Sequence, residues 1–337
     1  MSNDKAGAGQ TRPPGSAYTG KAFTFHQVRD SIYLAVATGN ISAPSNCPVV
    51  INDEDVLIAD SNISPGAAWA LREELKEVTD KPIRQVVLTH FHFDHAHGSQ
   101  IYGPEVDIIG HEFTHEMIAS GESIKGRTYT TMMAGLPDEL EGLKRQIREA
   151  SDEAARADLE RQLGIRQNFS DASASVTPVP PKTTLSDRMT SYHGGREFRF
   201  MYLGRGHTGG DLLVHIPEEG VLITGDLLLQ GLPYMGDGNF RDWPGTLEKI
   251  KELDFEVVLP GHGLPFSDRS RIDTLQRYME DFGSQVTALF AKGVPVGEAA
   301  ETIDMRDHAR QYPTIEGVGV ALPAVLQAYD LLSEDGG

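Results

Sequence analysis

The sequence predicts an α/β fold with four layers, in which two β-sheets pack face to face between outer helices and one helical insertion interrupts the pattern. Three observations lead to this prediction. An order of strand, turn, strand, helix and strand occurs twice along the chain, and apolar residues at helical spacing fill the stretch between the two copies. The 337 residues, 39% of them hydrophobic, are enough to bury a substantial core. We expect one domain over residues 21–337, with the insertion at 112–181.

The first copy of the pattern lies in the first third of the chain. Apolar residues 48–51 and 56–59 flank an acidic turn, which is the signal of a β-hairpin. Ser64 followed by Pro65 is typical of a helix start, because serine can cap the first free N–H groups and proline fits the first helical position. A further apolar stretch, 85–88, runs directly into a loop rich in histidine.

The second copy repeats this order without repeating the residues. Its predicted strands and helix are residues 212–216, 221–224, 246–253 and 256–259. The last strand is followed by a short loop that carries His262. Loops at the carboxyl ends of strands are where α/β proteins commonly place their chemistry. We therefore expect the loops of both copies to meet at one edge of the sheets.

The net charge and the cysteine content exclude several classes of protein. Lys and Arg total 30 against 49 Asp and Glu, a formal charge of −19, which repels phosphate backbones and anionic lipid surfaces. We therefore expect a small-molecule substrate, and neither nucleic acid nor a membrane as a partner. The single cysteine, Cys47, cannot form a disulfide within the chain.

The first 20 residues differ in composition from the rest of the chain. Residues 1–20 are rich in glycine, serine, proline and charge and contain no apolar run. They are predicted to form a mobile tail, and they resemble neither a signal peptide nor a membrane anchor. No later stretch approaches the roughly 20 apolar residues that span a bilayer. A cytoplasmic location is the expectation that follows.

The histidine-rich loop carries the strongest chemical signal in the sequence. It reads Thr-His-Phe-His-Phe-Asp-His over residues 89–95. Two histidines separated by one residue, His90 and His92, can turn both rings toward one ion at about 2.0–2.1 Å, while the adjacent Asp94 and His95 project toward a second ion. One loop is thus able to serve two metal ions. The alternative is a polar turn with coincidental histidines, which the density of histidine disfavours.

This loop resembles the metal-binding signature of the metallo-β-lactamase superfamily, and later segments match that family in the same order. The resemblance implies the αββα sandwich of that family and a ligand set for two ions. The first ion would be bound by His90, His92 and His207. The second would be bound by Asp94, His95 and His262, and Asp226 would bridge the two. The implied cofactors are two Zn²⁺ ions, with iron or manganese as alternatives.

Three further residues refine the resemblance. Asp226 stands near the position where the main di-zinc groups of antibiotic-cleaving members carry cysteine or serine, so a carboxylate there is more similar to glyoxalase II and lactonases. Asp60 resembles a buried aspartate that supports the metal loop by hydrogen bonds, although it could also be an ordinary turn residue. His97 stands where the family signature usually has glycine. It could support the ligands or face substrate, or it could equally be a packed or exposed histidine.

The resemblance implies a metal-dependent hydrolase. A hydroxide bridging the two ions would attack the carbonyl of an ester, lactone, thioester or amide, and the cations would stabilise the oxyanion. Asp94 would be the catalytic residue, orienting the hydroxide and passing its proton to the leaving group.

Three alternatives remain at this stage, because one fold supports many reactions. The protein could be a β-lactamase that cleaves β-lactam antibiotics, which Asp226 disfavours. It could be a mononuclear iron sulfur dioxygenase that uses His90, His207 and Asp226. It could also be a binding module without catalysis. The presence of a suitable residue at all seven ligand positions argues against this last alternative.

The insertion at 112–181 is the segment that we expect to determine substrate selectivity. Its middle part has apolar residues near helical spacing, which predicts helices. These could form a lid, form the interface of a homodimer, or be only a solvated addition to the fold, and we favour the first two. Within it, Tyr129 and Met133 could supply apolar contacts to the substrate, although core packing explains methionine nearly as well. Tyr234 and Asn239, in a glycine-punctuated loop after Asp226, could hydrogen-bond the substrate or simply form the turn.

Overall fold

The computed structural model describes residues 11–334 and contains two β-sheets in that range. The first sheet has seven strands in chain order: β1 (Phe23–Arg29), β2 (Ile32–Ala37), β3 (Cys47–Ile51), β4 (Val56–Ala59), β5 (Ile83–Leu88), β6 (Asp107–His111) and β7 (Thr183–Leu185). The strands from β1 to β4 pair antiparallel, and those from β4 to β7 pair parallel.

The second sheet has five strands. They are β8 (Arg188–His193), β9 (Arg196–Tyr202), β10 (Leu212–Ile216), β11 (Val221–Gly225) and β12 (Val257–Pro260). Their order across the sheet is β12-β11-β10-β9-β8. Only the β11–β12 pair among these is parallel.

The helices of the described range lie between and after the strands. They are α1 (Pro65–Leu75), α2 (Phe93–Ala96), α3 (Glu112–Ala119), α4 (Glu122–Lys125), α5 (Arg127–Glu149), α6 (Glu153–Ser173), α7 (Trp243–Lys251), α8 (Ser270–Ala291), α9 (Val296–Thr302) and α10 (Leu322–Glu334). None of these helices is both long enough and apolar enough to cross a bilayer.

The two sheets pack against each other through a shared apolar layer. Leu57 and Val87 of the first sheet belong to the same buried cluster as Phe198, Val214 and Ile223 of the second. The outer face of the first sheet packs against α1, and the outer face of the second packs against α7 and α8. The order of layers is helix, sheet, sheet, helix, so the predicted fold class is confirmed.

The repeated pattern places four strand ends at one edge. In the first copy, the Ser64 side chain accepts a hydrogen bond from the backbone N–H of Ala67 at 3.1 Å and starts α1, as predicted. The strands that flank α1, β4 and β5, then pair in parallel, and β11 and β12 do the same around α7. Because the carboxyl ends of parallel strands meet at one edge, the loops after these four strands come together.

The insertion forms four helices, α3 to α6. Its longest pair, α5 and α6, packs on the α1 side of the first sheet, where Leu136, Leu140 and Phe169 are buried together with Phe23. The side chain of Asp152 caps α6, and Ala154 in the first turn of that helix is exposed. Much of the apolar surface of the insertion is therefore covered by this chain itself.

The predicted mobile tail differs from the structure over its second half. Residues 1–10 lie outside the described range, but the following residues pack against α1 and α6. Ser16 is buried, and the side-chain amide of Asn168 donates to the carbonyl of Ala17 at 2.8 Å. A Cβ added at Gly66 would lie 2.5 Å from the backbone of Gly15, so the absence of a side chain in α1 permits this close approach. Sequence composition does not report such contacts.

Candidate metal centre

The seven predicted ligands come together at the edge where the strand ends meet. His90 and His92 lie in the loop after β5, and Asp94 and His95 lie in the short helix α2. The second sheet contributes one residue from each of three loops, which follow β9, β11 and β12. These residues are His207, Asp226 and His262.

The ligand atoms form three overlapping groups among the described residues, and two of these match the predicted ion sites. The third, of His90, His95 and Asp226, links those two. In the first group, the side-chain nitrogens of His90, His92 and His207 lie within 4.8 Å of one another. His92 Nδ1 and His207 Nε2 are 2.9 Å apart. All three residues are buried.

The second group contains Asp94, His95 and His262, again within 4.8 Å. Asp94 Oδ2 lies 3.2 Å from His262 Nε2 and 3.4 Å from His95 Nε2. Asp226 reaches both groups, because its Oδ2 is 3.2 Å from His262 Nε2 and 3.7 Å from His207 Nε2.

Several buried atoms at the centre of this cluster lack a hydrogen-bond partner. They are His90 Nε2, His95 Nε2 and Asp226 Oδ1. Buried polar atoms are nearly always paired, and orphaned ones call for an unseen partner such as an ion. Imidazole nitrogen and carboxylate oxygen are ligands for Zn²⁺, and also for iron and manganese. The residues present therefore fit divalent metal ions.

The electrostatic environment keeps two of the imidazoles in the first group neutral. Burial, together with the neighbouring histidines, holds the pKa of His90 well below its usual value. Burial and the adjacent His92 lower the pKa of His207 to about 3. A neutral imidazole has a free nitrogen lone pair, which metal coordination requires.

Asp94 of the second group and Asp226, which reaches both groups, stay ionised. Burial alone would raise the pKa of Asp94 and of Asp226, but His95 and His262 beside them hold both pKa values well below the usual range. Against the effect of its own burial, the carboxylates of Asp94, Asp226 and Asp60 raise the pKa of His95. A divalent cation bound here would replace that proton among the same carboxylates.

Asp60 lies behind the metal loop and orients two of its histidines. Its Oδ2 is 2.7 Å from His95 Nδ1 and accepts a hydrogen bond from the Thr89 hydroxyl at 2.9 Å. The Thr89 oxygen is in turn 3.0 Å from His90 Nδ1. Both rings thereby turn their Nε2 atoms toward the centre of the cluster. Thr89 has no distinguishing pattern in the sequence, and its part in this network was not predicted.

His97 and Met133 occupy packed positions. His97 is fully buried, its Nε2 is 3.1 Å from the carbonyl oxygen of Ser123, and its ring lies 4.8 Å from that of Tyr129. Its side-chain contacts lead to the insertion and to Phe93, whose ring lies 6.2 Å from the His97 ring, and not to solvent. Met133 packs against the core beneath α5. Of the alternatives considered from the sequence, the structure therefore supports packing for both side chains.

Asn239 also differs from its predicted place at the substrate. Its side-chain oxygen accepts hydrogen bonds from the backbone N–H groups of Arg241 at 3.2 Å and Asp242 at 3.1 Å, and the residue is buried. Asn239 therefore stabilises the turn that leads into α7, which was the alternative to a substrate contact. Asp242 itself pairs with Arg205 at 2.6 Å.

Tyr129 and Tyr234 lie beside the candidate metal centre, near a residue that was not predicted. That residue is Asp237, whose Oδ2 is 3.0 Å from His92 Nε2. The Tyr234 ring lies 6.0 Å from the His92 ring. In the sequence, Asp237 looks like any other aspartate of a glycine-rich turn, so only the folded chain distinguishes it.

A cavity of about 230 Å³ adjoins this side of the centre. Its walls include His92 and Asp237, and the apolar part is formed by Phe91, Phe93 and Tyr129. A larger, open depression of about 790 Å³ lies around Arg29, Arg196 and Glu219, and no predicted site residue lines it.

Comparisons with known proteins agree with this geometry. The family model described as the metallo-beta-lactamase superfamily matches residues 43–262. A linear primary-alkylsulfatase of Pseudomonas sp. (strain ATCC 19151) is 25% identical over 82% of this chain, which spans about half (53%) of that relative's length. The probable metallo-hydrolase YqjP of Bacillus subtilis is 25% identical over 64% of this chain and 67% of its own. The type 2 metallo-beta-lactamase of Bacteroides fragilis is 22% identical over 70% of this chain and 78% of its own.

Solved structures share the fold at low sequence identity. The sec-alkylsulfatase Pisa1 from Pseudomonas sp. superposes with a TM-score of 0.63 and 16% identity, over 92% of this chain and 50% of its own. A metallo-beta-lactamase from Pontibacter korlensis gives a TM-score of 0.54 at 16% identity, over 76% of this chain and 99% of its own. The family model covers more than half of the chain and includes every predicted ligand. The chain belongs to the metallo-β-lactamase superfamily.

Proposed function

We propose that this protein is a hydrolase with two bound zinc ions that cleaves a carbonyl substrate, namely an ester, lactone, thioester or amide. The observation that supports the proposal best is the convergence of seven ligand side chains around buried atoms that have no hydrogen-bond partner. His90, His92 and His207 would hold the first ion. Asp94, His95 and His262 would hold the second, with Asp226 contacting both.

The ions and the protein would contribute different parts of the chemistry. Two bound divalent ions lower the pKa of water toward neutrality and polarise the group under attack. Asp94 and His262 are the ligands with the most exposed side chains, 13% and 33%, so substrate would enter on their side. The ionised Asp94 carboxylate would accept a proton from the attacking water and deliver it to the leaving group.

Sulfate-ester hydrolysis is the second candidate function. It is supported by the extent of two matches, since the alkylsulfatases align with 82% and 92% of this chain. The β-lactamases align with 70% and 76%. A tetrahedral sulfate ester would place its charge among the same cations.

One experiment separates these functions. Protein purified without added metal is analysed for its elements and then assayed against aryl esters, acyl lactones, thioesters, a penicillin, a carbapenem and alkyl sulfates. We expect two zinc ions per chain and turnover of a carbonyl substrate. Asp94→Ala should lower kcat by about 10²-fold or more, as expected for loss of general acid–base catalysis. His262→Ala should lose the second ion.

The control is Asp187→Ala, which removes a carboxylate that is 80% exposed and should leave turnover unchanged. Circular dichroism checks that all variants are folded. Turnover of alkyl sulfates alone would favour the second candidate. One iron per chain with thiol-dependent oxygen uptake would replace the hydrolase by a dioxygenase, and two zinc ions without turnover of any substrate would favour a binding module.

A further inference from the structure

Three consecutive residues at the start of α5 contact three different parts of the molecule. Arg127 Nη1 lies 3.0 Å from Asp330 Oδ2 in α10. The Tyr129 ring lies 4.8 Å from the His97 ring and 5.6 Å from the Phe93 ring of the metal loop. The residue between them, Thr128, is therefore held from both sides.

Thr128 contacts the carboxylate that contacts a metal-ligand candidate. Its hydroxyl donates a short hydrogen bond to Asp237 Oδ2, and the same oxygen is 3.0 Å from His92 Nε2. Because Thr128 donates its only hydroxyl proton to Asp237, the Tyr234 hydroxyl at 3.1 Å must donate to Thr128. We call Thr128, Asp237 and His92 the clasp.

The clasp determines which nitrogen of His92 carries the proton. An ionised carboxylate can only accept hydrogen bonds, so the contact with Asp237 requires a proton on His92 Nε2. In the neutral ring the other nitrogen, Nδ1, then carries no proton. It faces His207 Nε2 at 2.9 Å within the first ion group. This is the tautomer in which His92 can bind an ion through Nδ1.

The geometry points to Thr128 as a positioning residue. We propose that the insertion, through Thr128 and Asp237, fixes the His92 tautomer and thereby tightens the first ion site, an inference that rests on the proposed metal binding. All three residues of the clasp also line the cavity of about 230 Å³. A molecule in that cavity would touch the clasp directly, so the insertion would contribute a side chain to the surroundings of the candidate metal centre.

The test compares the wild type with four variants. Thr128→Val removes the hydroxyl at nearly constant shape, Thr128→Ser keeps it, and Asp237→Asn removes the charge. The matched control is Thr131→Val, an exposed threonine on the same helix. Two quantities are measured: the His92 tautomer, by NMR of ¹⁵N-histidine protein treated with chelator, and Zn²⁺ affinity, by titration against a competing chelator.

We expect wild type, Thr128→Ser and Thr131→Val to hold His92 in the Nε2–H tautomer. Thr128→Val and Asp237→Asn should show mixed tautomers and bind the first ion about 10-fold to 100-fold more weakly, the range typical for loss of a group that supports a histidine ligand. An unchanged tautomer and affinity in Thr128→Val would overturn the inference. If no form binds zinc but the tautomer still changes, the proposed function fails while the positioning role of Thr128 stands.

Discussion

Asp60 shows how one side chain can orient two candidate ligands. It accepts hydrogen bonds from the backbone N–H of Thr89 at 2.8 Å and from the Thr89 hydroxyl, and its contact with His95 Nδ1 completes the set. Burial raises the pKa of Asp60, and His95 partly offsets that rise. Burying the ionised carboxylate costs solvation free energy, and the hydrogen bonds that it makes with the metal loop offset that cost.

Replacing Asp60 by asparagine should weaken metal binding. The amide cannot accept from both Thr89 and His95 as the carboxylate does, so the His95 ring loses its fixed orientation. We expect about 10-fold to 100-fold lower Zn²⁺ affinity, mainly at the second ion group. A two-site titration against a competing chelator measures this, with Asp187→Asn as the exposed control. If Asp60→Asn binds Zn²⁺ at each site with the wild-type affinity, then Asp60 supports only the fold and not metal binding.

The role of an individual residue could be predicted from the sequence only where its amino-acid type and spacing allow few alternatives. The ligands could be predicted because four of them share one short loop with a fixed spacing. Asn239 could not be assigned, since the same amide serves turns and substrates, and folding used it for a turn. Thr89 and Asp237 act through contacts that depend on where other loops lie, and the sequence around them carries no trace of those contacts.

At the scale of elements, the two copies of the hairpin, helix and strand pattern could be predicted closely. The strand at Leu212–Ile216 has the predicted bounds, and Val257–Pro260 differs by one residue. Helix α7 begins three residues earlier than predicted, because the turn formed by Asn239 already directs the chain into it. The packing of α5 and α6 on the first sheet could not be predicted, since an amphipathic helix does not specify its partner.

The start of α3 provides a pH-dependent element. His111 caps this helix, with its Nδ1 accepting the backbone N–H of Phe113 at 3.1 Å, which requires a neutral ring. Burial lowers the pKa of His111 from its usual value near 6.5. Below pH 6.5 the unfolded chain therefore binds a proton that the folded chain does not, so this contribution to stability is present above pH 6.5 and declines as the pH falls.

His111→Asn should reduce this pH dependence. Asparagine can accept the same N–H at the cap without titrating. We expect the free energy of unfolding, measured by urea denaturation with chelator present, to fall less between pH 7 and pH 5 in the variant than in the wild type. Parallel pH curves for the two proteins would contradict a capping role for the neutral ring.

At the scale of the whole molecule, the candidate ion sites join the two sheets. Each three-ligand group takes two residues from the first sheet's loop and one from the second sheet. Direct contacts also join the two sheets at this edge. The side-chain amide of Asn46 donates to the carbonyls of Pro260 at 3.0 Å and Gly263 at 2.7 Å.

Removing bound metal should therefore destabilise the association of the sheets. An ion that binds only the folded chain stabilises it by about 4 kcal/mol at about 1,000 times its dissociation constant. We expect a chelator to lower Tm and to speed amide hydrogen exchange in the loops after β5, β11 and β12, with little change in β1 and β2. Added Zn²⁺ should reverse both effects. The same Tm and exchange pattern with and without chelator would show that the association of the two sheets does not depend on metal.

The chain passes from the first sheet to the second once, at Ser186 and Asp187, and every strand of one sheet precedes every strand of the other. During synthesis on the ribosome, the first sheet can therefore be complete while each ion group still lacks a ligand. His207 would complete the first group, and the second must wait for His262, after the last strand. Under the proposed metal binding, the topology would order the loading of the two ions in time, and a full ligand set would form only after both halves of the chain have been made and have docked.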